Sequence, residues 1–234
     1  MSKFFKFEDE KNDFPFYNGK PSLSKMDWLI LLAGLLIFIG ILLIPLKLDS
    51  NLVGLILCLS VLLPTLYVLK GNYGLIFRKP QRKDIKLIFL CLLGYYVYTL
   101  SVVSILSALS MPTAGNAIFG VNMDLAFWIS VILQLMGEEL YKLLVFLIVM
   151  ALVYRFTNRR KIAMICGIIV AIFSFGLLHY SAYAGNLAQI IFVIGLGSLI
   201  YLYAYLKTKN IVVSYMVHLL IDGLPFLIAM INGL

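Results

Sequence analysis

Charged residues are scarce in this 234-residue chain, at 13% of the sequence, whereas 62% of the residues are hydrophobic. With a mean hydropathy of +1.01, this composition excludes an ordinary soluble domain and indicates an integral membrane protein. Only three cysteines are present, Cys58, Cys91 and Cys166. All lie in apolar stretches without metal-ligand spacing, which predicts buried, unpaired thiols. The HExxH motif of zinc proteases is absent as well.

Seven apolar stretches have the length of about 20 residues or more that a membrane-spanning helix needs. They are residues 28–46, 51–69, 86–108, 126–153, 162–181, 187–206 and 211–232. This pattern predicts an all-α bundle of about seven transmembrane helices, in which the fourth is long enough to tilt or to extend beyond the membrane. Pro64 and Pro225 are expected to kink or break their helices. A short re-entrant helix within 109–125 is the alternative to a plain loop.

Lysine and arginine are concentrated in alternate segments between the apolar stretches. Apart from Lys142 there are 18 basic residues, and 17 of them lie in the N-terminal tail and in the second, fourth and sixth connections. The positive-inside rule therefore places the N-terminus in the cytoplasm and the C-terminus outside. The net charge of +8 is explained by this topology, so no nucleic-acid partner is expected.

The first 27 residues are polar and of mixed charge, without the apolar run of a signal peptide. Pro15 and Pro21 oppose regular helix. This segment is predicted to be a flexible cytoplasmic tail whose aromatic residues contact the membrane surface. Residues 28–234 are predicted to form the membrane domain.

Six ionisable side chains interrupt the apolar stretches, and they include both histidines of the chain. They are Glu138, Glu139, Lys142, His179, His218 and Asp222. A charge at the bilayer centre costs about 2.5–3.5 kcal/mol, so such residues usually face the bundle interior, pair with one another and carry function. These six positions are therefore the candidate site.

Helical spacing places Glu138 and Lys142 on one face, with Glu139 about 100° away. Two adjacent carboxylates in a low dielectric do not both ionise cheaply, so one is expected to pair with Lys142 and the other to act as a general acid or base. A histidine from another helix could share a water with it, while the remaining histidine and aspartate bind an oxyanion or orient the substrate. Three alternatives remain open: a structural ion pair, a proton-coupled transporter, and a zinc site built from Glu138, His179 and His218.

Three motifs occur in chain order on separate predicted helices. They are Glu138-Glu139, Phe175-Gly-Leu-Leu-His179 and His218-Leu-Leu-Ile-Asp222. The chain thus resembles the CAAX protease and bacteriocin-processing family (CPBP, or Abi) of intramembrane glutamic endopeptidases, which carries EExxxR, FxxxH, and HxxxN or HxxxD. The resemblance covers about residues 126–232, which would form the catalytic core.

The resemblance implies hydrolysis of a peptide bond within the membrane, without a metal or other cofactor. Glu138 and His179 would activate water, His218 and Asp222 would stabilise the oxyanion, and Glu139 would support the site. The implied substrate is a membrane-associated or lipid-modified peptide or protein. Membrane lipid is the other expected partner, and a bacterial plasma membrane is the expected location.

Two positions depart from the family pattern. The family's arginine would fall at Leu143, whereas the nearby cation is Lys142, an EExxK arrangement similar to that of PrsW-type proteases. An ionised Asp222 cannot donate a hydrogen bond, so it would be protonated or would orient His218. The alternative function is therefore a catalytically inert immunity or peptide-binding protein of the same fold.

The expected depths of the motif residues also disagree. At 1.5 Å per residue, Glu138 and His179 lie about 24–27 Å from the cytoplasmic ends of their spans, and His218 lies about 12 Å from its own. Either the last span begins deeper in the membrane, or tilt and a kink at Pro225 bring the residues to one height.

Overall fold

The computed structural model describes residues 7, 13–44, 50–114 and 123–231, which contain seven long helices. The helices are α1 (Lys25–Leu43), α2 (Ser50–Leu69), α3 (Arg82–Ala108), α4 (Leu125–Thr157), α5 (Arg160–Leu178), α6 (Leu196–Thr208) and α7 (Ile211–Ile231). A π-helical segment, Gln189–Gly195, leads directly into α6 and extends it to membrane-spanning length. All seven spans are long and apolar enough to cross a membrane. The predicted all-α membrane fold is confirmed.

Polar caps set the helix ends where these differ from the predicted spans. Helix α1 begins three residues early because Ser24 and Asp27 form a capping box. Helix α4 continues to Thr157 and ends at Asn158, whose backbone is left-handed. These caps extend the helices by about one turn beyond the predicted hydrophobic stretches.

Pro64 and Pro225 both lie inside continuous helices, so neither marks the helix break that was one of the expected outcomes. Of the segment 109–125, the structure describes residues up to 114 and from 123 onward. The proposed re-entrant helix between them lies outside the described residues.

Helix α4 forms the centre of the bundle. Its 33 residues give it a length of about 50 Å, and it packs against α2, α5 and α7, while α3 packs on α6 and α7. At Gly137 the backbone of α2 comes so close that an added Cβ would lie 3.0 Å from the Cα of Cys58. A glycine at this position therefore allows α2 to pack directly against the turn of α4 that carries Glu138.

Contacts among the connections show which helix ends lie together. Lys70 at the end of α2 pairs with Asp27 at the start of α1, at 2.9 Å. Arg78, before α3, donates to the backbone carbonyl of Lys209 in the α6–α7 turn, at 2.9 Å. Arg160 at the start of α5 belongs to the same end, since its guanidinium lies 5.2 Å from the ring of Phe14, and Nζ of Lys209 lies 4.5 Å from that same ring. We call this end, where the basic connections meet, the basic end.

The segment before α1 packs into the bundle, which corrects the prediction of a flexible tail for residues 13–23. Phe14 is only 1% exposed, and its ring lies 5.2 Å from that of Phe146 and 6.2 Å from that of Tyr205. Phe16 is buried in the same core. Burial of aromatic side chains stabilises this packing by removing apolar area from water, an effect that the polar composition concealed.

Asp13 anchors this segment to the bundle. Its carboxylate accepts hydrogen bonds from Arg160 at 2.6 Å, from the Tyr17 hydroxyl at 2.5 Å and from the Phe14 N–H at 2.8 Å. Burial alone would raise the pKa of Asp13, but these bonds outweigh it and hold the pKa below its ordinary value. Burial and the bond to Asp13 raise the pKa of Tyr17 to about 12, so its hydroxyl stays a donor at neutral pH.

Phe14→Ala is expected to destabilise the protein by about 3 kcal/mol, because truncating a buried Phe loses its transfer free energy and leaves a cavity. Equilibrium unfolding in mixed micelles measures this loss. Phe156→Ala, which removes an exposed ring near the end of α4, is the matched control and should cost under about 1 kcal/mol. Equal losses in the two variants would contradict the anchoring role of Phe14.

Candidate active site

The five residues predicted to be catalytic form one cluster, in which Glu138 faces both histidines and His218 faces Glu139 and Asp222. Oε2 of Glu138 lies 3.9 Å from Nε2 of His179 and 4.0 Å from Nε2 of His218. The same nitrogen of His218 lies 3.4 Å from Oδ2 of Asp222, and its Nδ1 lies 3.1 Å from Oε1 of Glu139. Three helices, α4, α5 and α7, thus supply one cluster in the bundle interior.

His179 is held in a defined tautomer by the first residue of its motif. Its Nδ1 lies 2.9 Å from the backbone carbonyl of Phe175, which can only accept, so Nδ1 carries the proton. In the neutral ring Nε2 is then an acceptor, and it faces Glu138. The 3.9 Å separation is too long for a direct hydrogen bond and suits one bridging water.

Gln134 completes the setting of Glu138 and was not predicted from the sequence. Its Nε2 donates to Oε1 of Glu138 at 2.9 Å, which leaves Oε2 directed at the two histidines. The available signal was the spacing of four residues on one helical face. A glutamine in an apolar helix costs less than a charge, so it did not stand out.

Gln134→Leu is expected to lower kcat about tenfold while changing KM little, because a hydrogen bond to a charged group contributes about 1.5–3 kcal/mol to the carboxylate's orientation. Steady-state peptide hydrolysis measures the effect. Gln134→Glu should lower kcat further, since a second carboxylate would repel Glu138. A variant that raises KM alone would show that Gln134 contacts substrate and does not position the base.

His218 lies between two carboxylates and against an aromatic face. Its ring stacks on Tyr201, with centroids 4.5 Å apart and planes inclined by 13°. Nδ1 faces Glu139 out of line for a hydrogen bond, and Nε2 faces Asp222. With a proton on Nε2 the ring can donate toward the space between Glu138 and Asp222. An orienting role for Asp222, one of the two expected from the sequence, is compatible with this geometry.

Lys142 is buried and fully engaged in this cluster. Its Nζ contacts Oε1 of Glu139 at 2.5 Å and lies 3.5 Å from the ring centroid of Tyr201 and 4.6 Å from that of Phe175. The hydroxyl of Ser214 contacts Oε2 of Glu139 and the backbone carbonyl of Tyr201. The sequence predicted the ion pair but not the aromatic box, because nothing in the spacing along α6 shows that Tyr201 faces Lys142.

The disagreement in depth is resolved by a deeply placed α6–α7 turn. Nζ of Lys209 lies 4.5 Å from the ring centroid of Phe14, which also contacts Phe146, so the turn lies level with Phe146. From this level Glu138 is eight residues, about 12 Å, along α4, and His218 is nine residues, about 14 Å, along the chain. Helix α4 continues about 16 Å past Phe146 in the other direction. The first of the two expected explanations is the correct one.

Among the described residues, no group of three or more His, Cys, Asp or Glu side chains is arranged to hold a metal ion. The expectation of a reaction without a bound metal stays a prediction that elemental analysis can test.

Comparison with known families bears on the same residues. Residues 121–224 match the model of the Rce1-like family, described as type II CAAX prenyl endopeptidases. This part of the chain, somewhat under half of it, is thus similar to the CAAX protease family. All three motifs lie within the CAAX protease match, whereas α1, α2 and α3 lie outside it. The similarity of the first motif to PrsW-type proteases stays an expectation.

No curated protein and no solved structure matches the chain. The CAAX protease family is a family of proteases, and with seven apolar spans the chain is an integral membrane protein. The assignment of roles to individual residues therefore depends on their geometry.

Proposed function

We propose that this protein is an intramembrane endopeptidase of the glutamic type, which hydrolyses a peptide bond in a membrane-associated or lipid-modified polypeptide. One observation carries the proposal: a single oxygen of Glu138 lies about one water molecule's span from the two histidines of the chain, at 3.9 and 4.0 Å. This is the arrangement that a general base needs beside a bound water and an oxyanion donor.

The reaction begins at the water between Glu138 and His179. As the water oxygen bonds to the scissile carbonyl carbon, one of its protons passes to Glu138, with Nε2 of His179 accepting a hydrogen bond from the other. The carbonyl oxygen becomes an oxyanion, toward which Nε2–H of His218 donates. The C–N bond then breaks, the leaving amine takes the proton from Glu138, and a carboxylic acid and an amine are released.

Glu139 and Asp222 serve this step indirectly. Glu139 holds one side of the His218 ring and is itself neutralised by Lys142. Asp222 lies 3.4 Å from the other ring nitrogen, Nε2, and favours the tautomer that carries the proton there, so that Nε2–H is available as the donor when the oxyanion forms. Stacking on Tyr201 fixes the plane of the ring, so that the donor is in place before charge develops.

The test is hydrolysis of membrane peptides by the purified protein in liposomes made of bacterial lipids, with peptides that carry or lack a prenyl or acyl chain. New termini, identified by mass spectrometry, are expected with wild type and not with His179→Ala. Turnover that survives chelation, in protein free of zinc by elemental analysis, would bear out the reaction without metal. Hydrolysis that the His179→Ala variant supports at the wild-type rate would overturn the proposal, as would a strict requirement for zinc.

A further inference from the structure

The exposure of the site residues rises in one direction through the bundle. The side chains of Glu139 and Lys142 are each 1% exposed, that of Glu138 is 8%, that of His179 is 22% and that of Asp222 is 36%. His179 directly follows the last residue of α5, far from the start of that helix at the basic end. The approach to the cluster is therefore from the end of the bundle opposite to the basic end.

Contacts between connections define this opposite end. The side-chain amide of Gln189, just before α6, bonds both the N–H and the carbonyl of Ala114, at 2.7 and 2.9 Å. The ring of Phe127 near the start of α4 lies 5.8 Å from that of Phe226 near the end of α7. Together with the turn after His179, these segments surround the exposed side of the cluster.

Packed side chains separate the site from the basic end of the bundle. Going along α4 from Lys142, the next residues on the core face are Phe146 and Met150, which are completely buried. The ring of Phe14 packs against Phe146 on the side that faces the basic end. A cavity of about 180 Å³ at this end is lined by Phe14, Arg78 and Lys209 among others, and by none of the site residues, so it does not lead to Glu138.

Charge distinguishes the two ends. Of the connections at the opposite end, residues 109–124 and 179–188 contain no lysine or arginine and residues 44–49 contain one, Lys47, whereas the connections at the basic end contain most of those in the chain. Positively charged connections stay in the cytoplasm during insertion. The basic end is therefore assigned to the cytoplasm and the exposed side of the cluster to the other face of the membrane.

We propose that the site opens on the non-cytoplasmic side of the membrane and hydrolyses polypeptide segments that are presented there. The inference rests on the proposed protease function and adds the side from which substrate and water enter. A cytoplasmic polypeptide would have to pass the packed layer of Phe14, Phe146 and Tyr205 to reach Glu138.

The charged side chains around the exposed side of the cluster restrict the class of substrate. Asp222 is the most exposed charged side chain of the cluster, and the chain has no lysine or arginine in residues 87–141, 179–206 or 219–234. Lys142 is buried and paired with Glu139. None of these stretches offers a cation to a substrate carboxylate near the cleaved bond, which Asp222 would repel. The substrate is therefore an exported or surface-exposed polypeptide that is neutral or basic around the cleaved bond.

The experiment uses the full-length protein in sealed right-side-out and inside-out membrane vesicles. The probe is a randomised ten-residue peptide library with a sulfonated dye at one end, which does not cross bilayers. At least tenfold faster cleavage is expected in right-side-out vesicles, with no cleavage by Glu138→Gln in either. Products should be depleted in Asp and Glu beside the cleaved bond. Faster cleavage in inside-out vesicles, or products without that depletion, would overturn the inference while leaving the protease function intact.

Sidedness is measured independently of activity by an impermeant maleimide. Ser181→Cys, in the exposed turn after His179, should be labelled in right-side-out vesicles, and Thr157→Cys, at the basic end, should be labelled only in inside-out vesicles. The unmodified chain controls for its three native cysteines. The reverse labelling pattern overturns the inference. The expected labelling without cleavage in either vesicle type would instead refute the proposed function, and the inference with it.

Discussion

Replacing Glu138 with glutamine is expected to lower kcat about 10³-fold, within the range that a positioned general base contributes. The amide has the size of the carboxylate and can still accept the hydrogen bond that Gln134 donates to Oε1. What it loses is the ability to take a proton from the water shared with His179. KM should change little, and initial rates of peptide hydrolysis in liposomes give both constants.

Asp124→Asn is the matched control for this substitution. It makes the same change of acid to amide on the same helix, at the N-cap, where asparagine caps as well as aspartate. Wild-type kcat is expected there. Full turnover by Glu138→Gln would contradict the assignment of the base. If wild type cleaves no peptide and Glu138→Gln still gives full biological protection against a bacteriocin, the alternative of an inert immunity protein replaces the protease.

The fold was predictable because a bilayer imposes a simple rule. Each span must satisfy its backbone internally and expose apolar side chains to lipid, so length and hydropathy alone locate the helices. The cluster was predictable for the converse reason, since ionisable groups such as Glu138 and His218 are too costly in lipid to be retained without a partner. Both inferences depend on single residues and local spacing.

Features that depend on contacts between helices were not predictable. Tyr201 is an ordinary aromatic residue of α6, and it gains its role only because its ring meets Lys142 of α4 and His218 of α7 in the folded bundle. Gln134 bonds Glu138 within α4, where the spacing could be read, but a glutamine does not stand out in an apolar helix. Phe14 lies in a polar segment with two prolines, a composition that predicts a flexible tail. The α6–α7 turn, however, lies deep in the bundle, and the ring of Phe14 fills the space that this leaves at the basic end. The level of that turn cannot be obtained by counting residues from helix ends.

Replacing Lys142 with methionine is expected to destabilise the protein by about 3–5 kcal/mol, because it leaves Glu139 as a buried charge without its partner. Methionine matches the length of the lysine stem and can pack against Tyr201 and Phe175, so lost volume contributes little. Equilibrium unfolding in mixed micelles gives the value. Lys70→Met is the matched control: Lys70 is exposed, Asp27 keeps its bond from the Ser24 N–H, and a surface pair contributes about 0–1 kcal/mol.

The double variant Glu139→Gln/Lys142→Met separates stability from catalysis. Removing both charges together is expected to restore most of the stability, because no buried charge is left unpaired. It is not expected to restore kcat, since a neutral amide attracts the His218 ring less strongly than a carboxylate and the oxyanion donor loses its fixed position. A double variant that is both stable and fully active would show that the Glu139–Lys142 pair serves helix packing alone. If the double variant is stable but its kcat falls at least tenfold with KM unchanged, the Glu139–Lys142 pair serves catalysis as well as packing. Lys142 would then take the role that the family's motif gives to an arginine one residue later. The side chain at that later position, Leu143, is buried in the core, so Lys142 is the cation that meets Glu139.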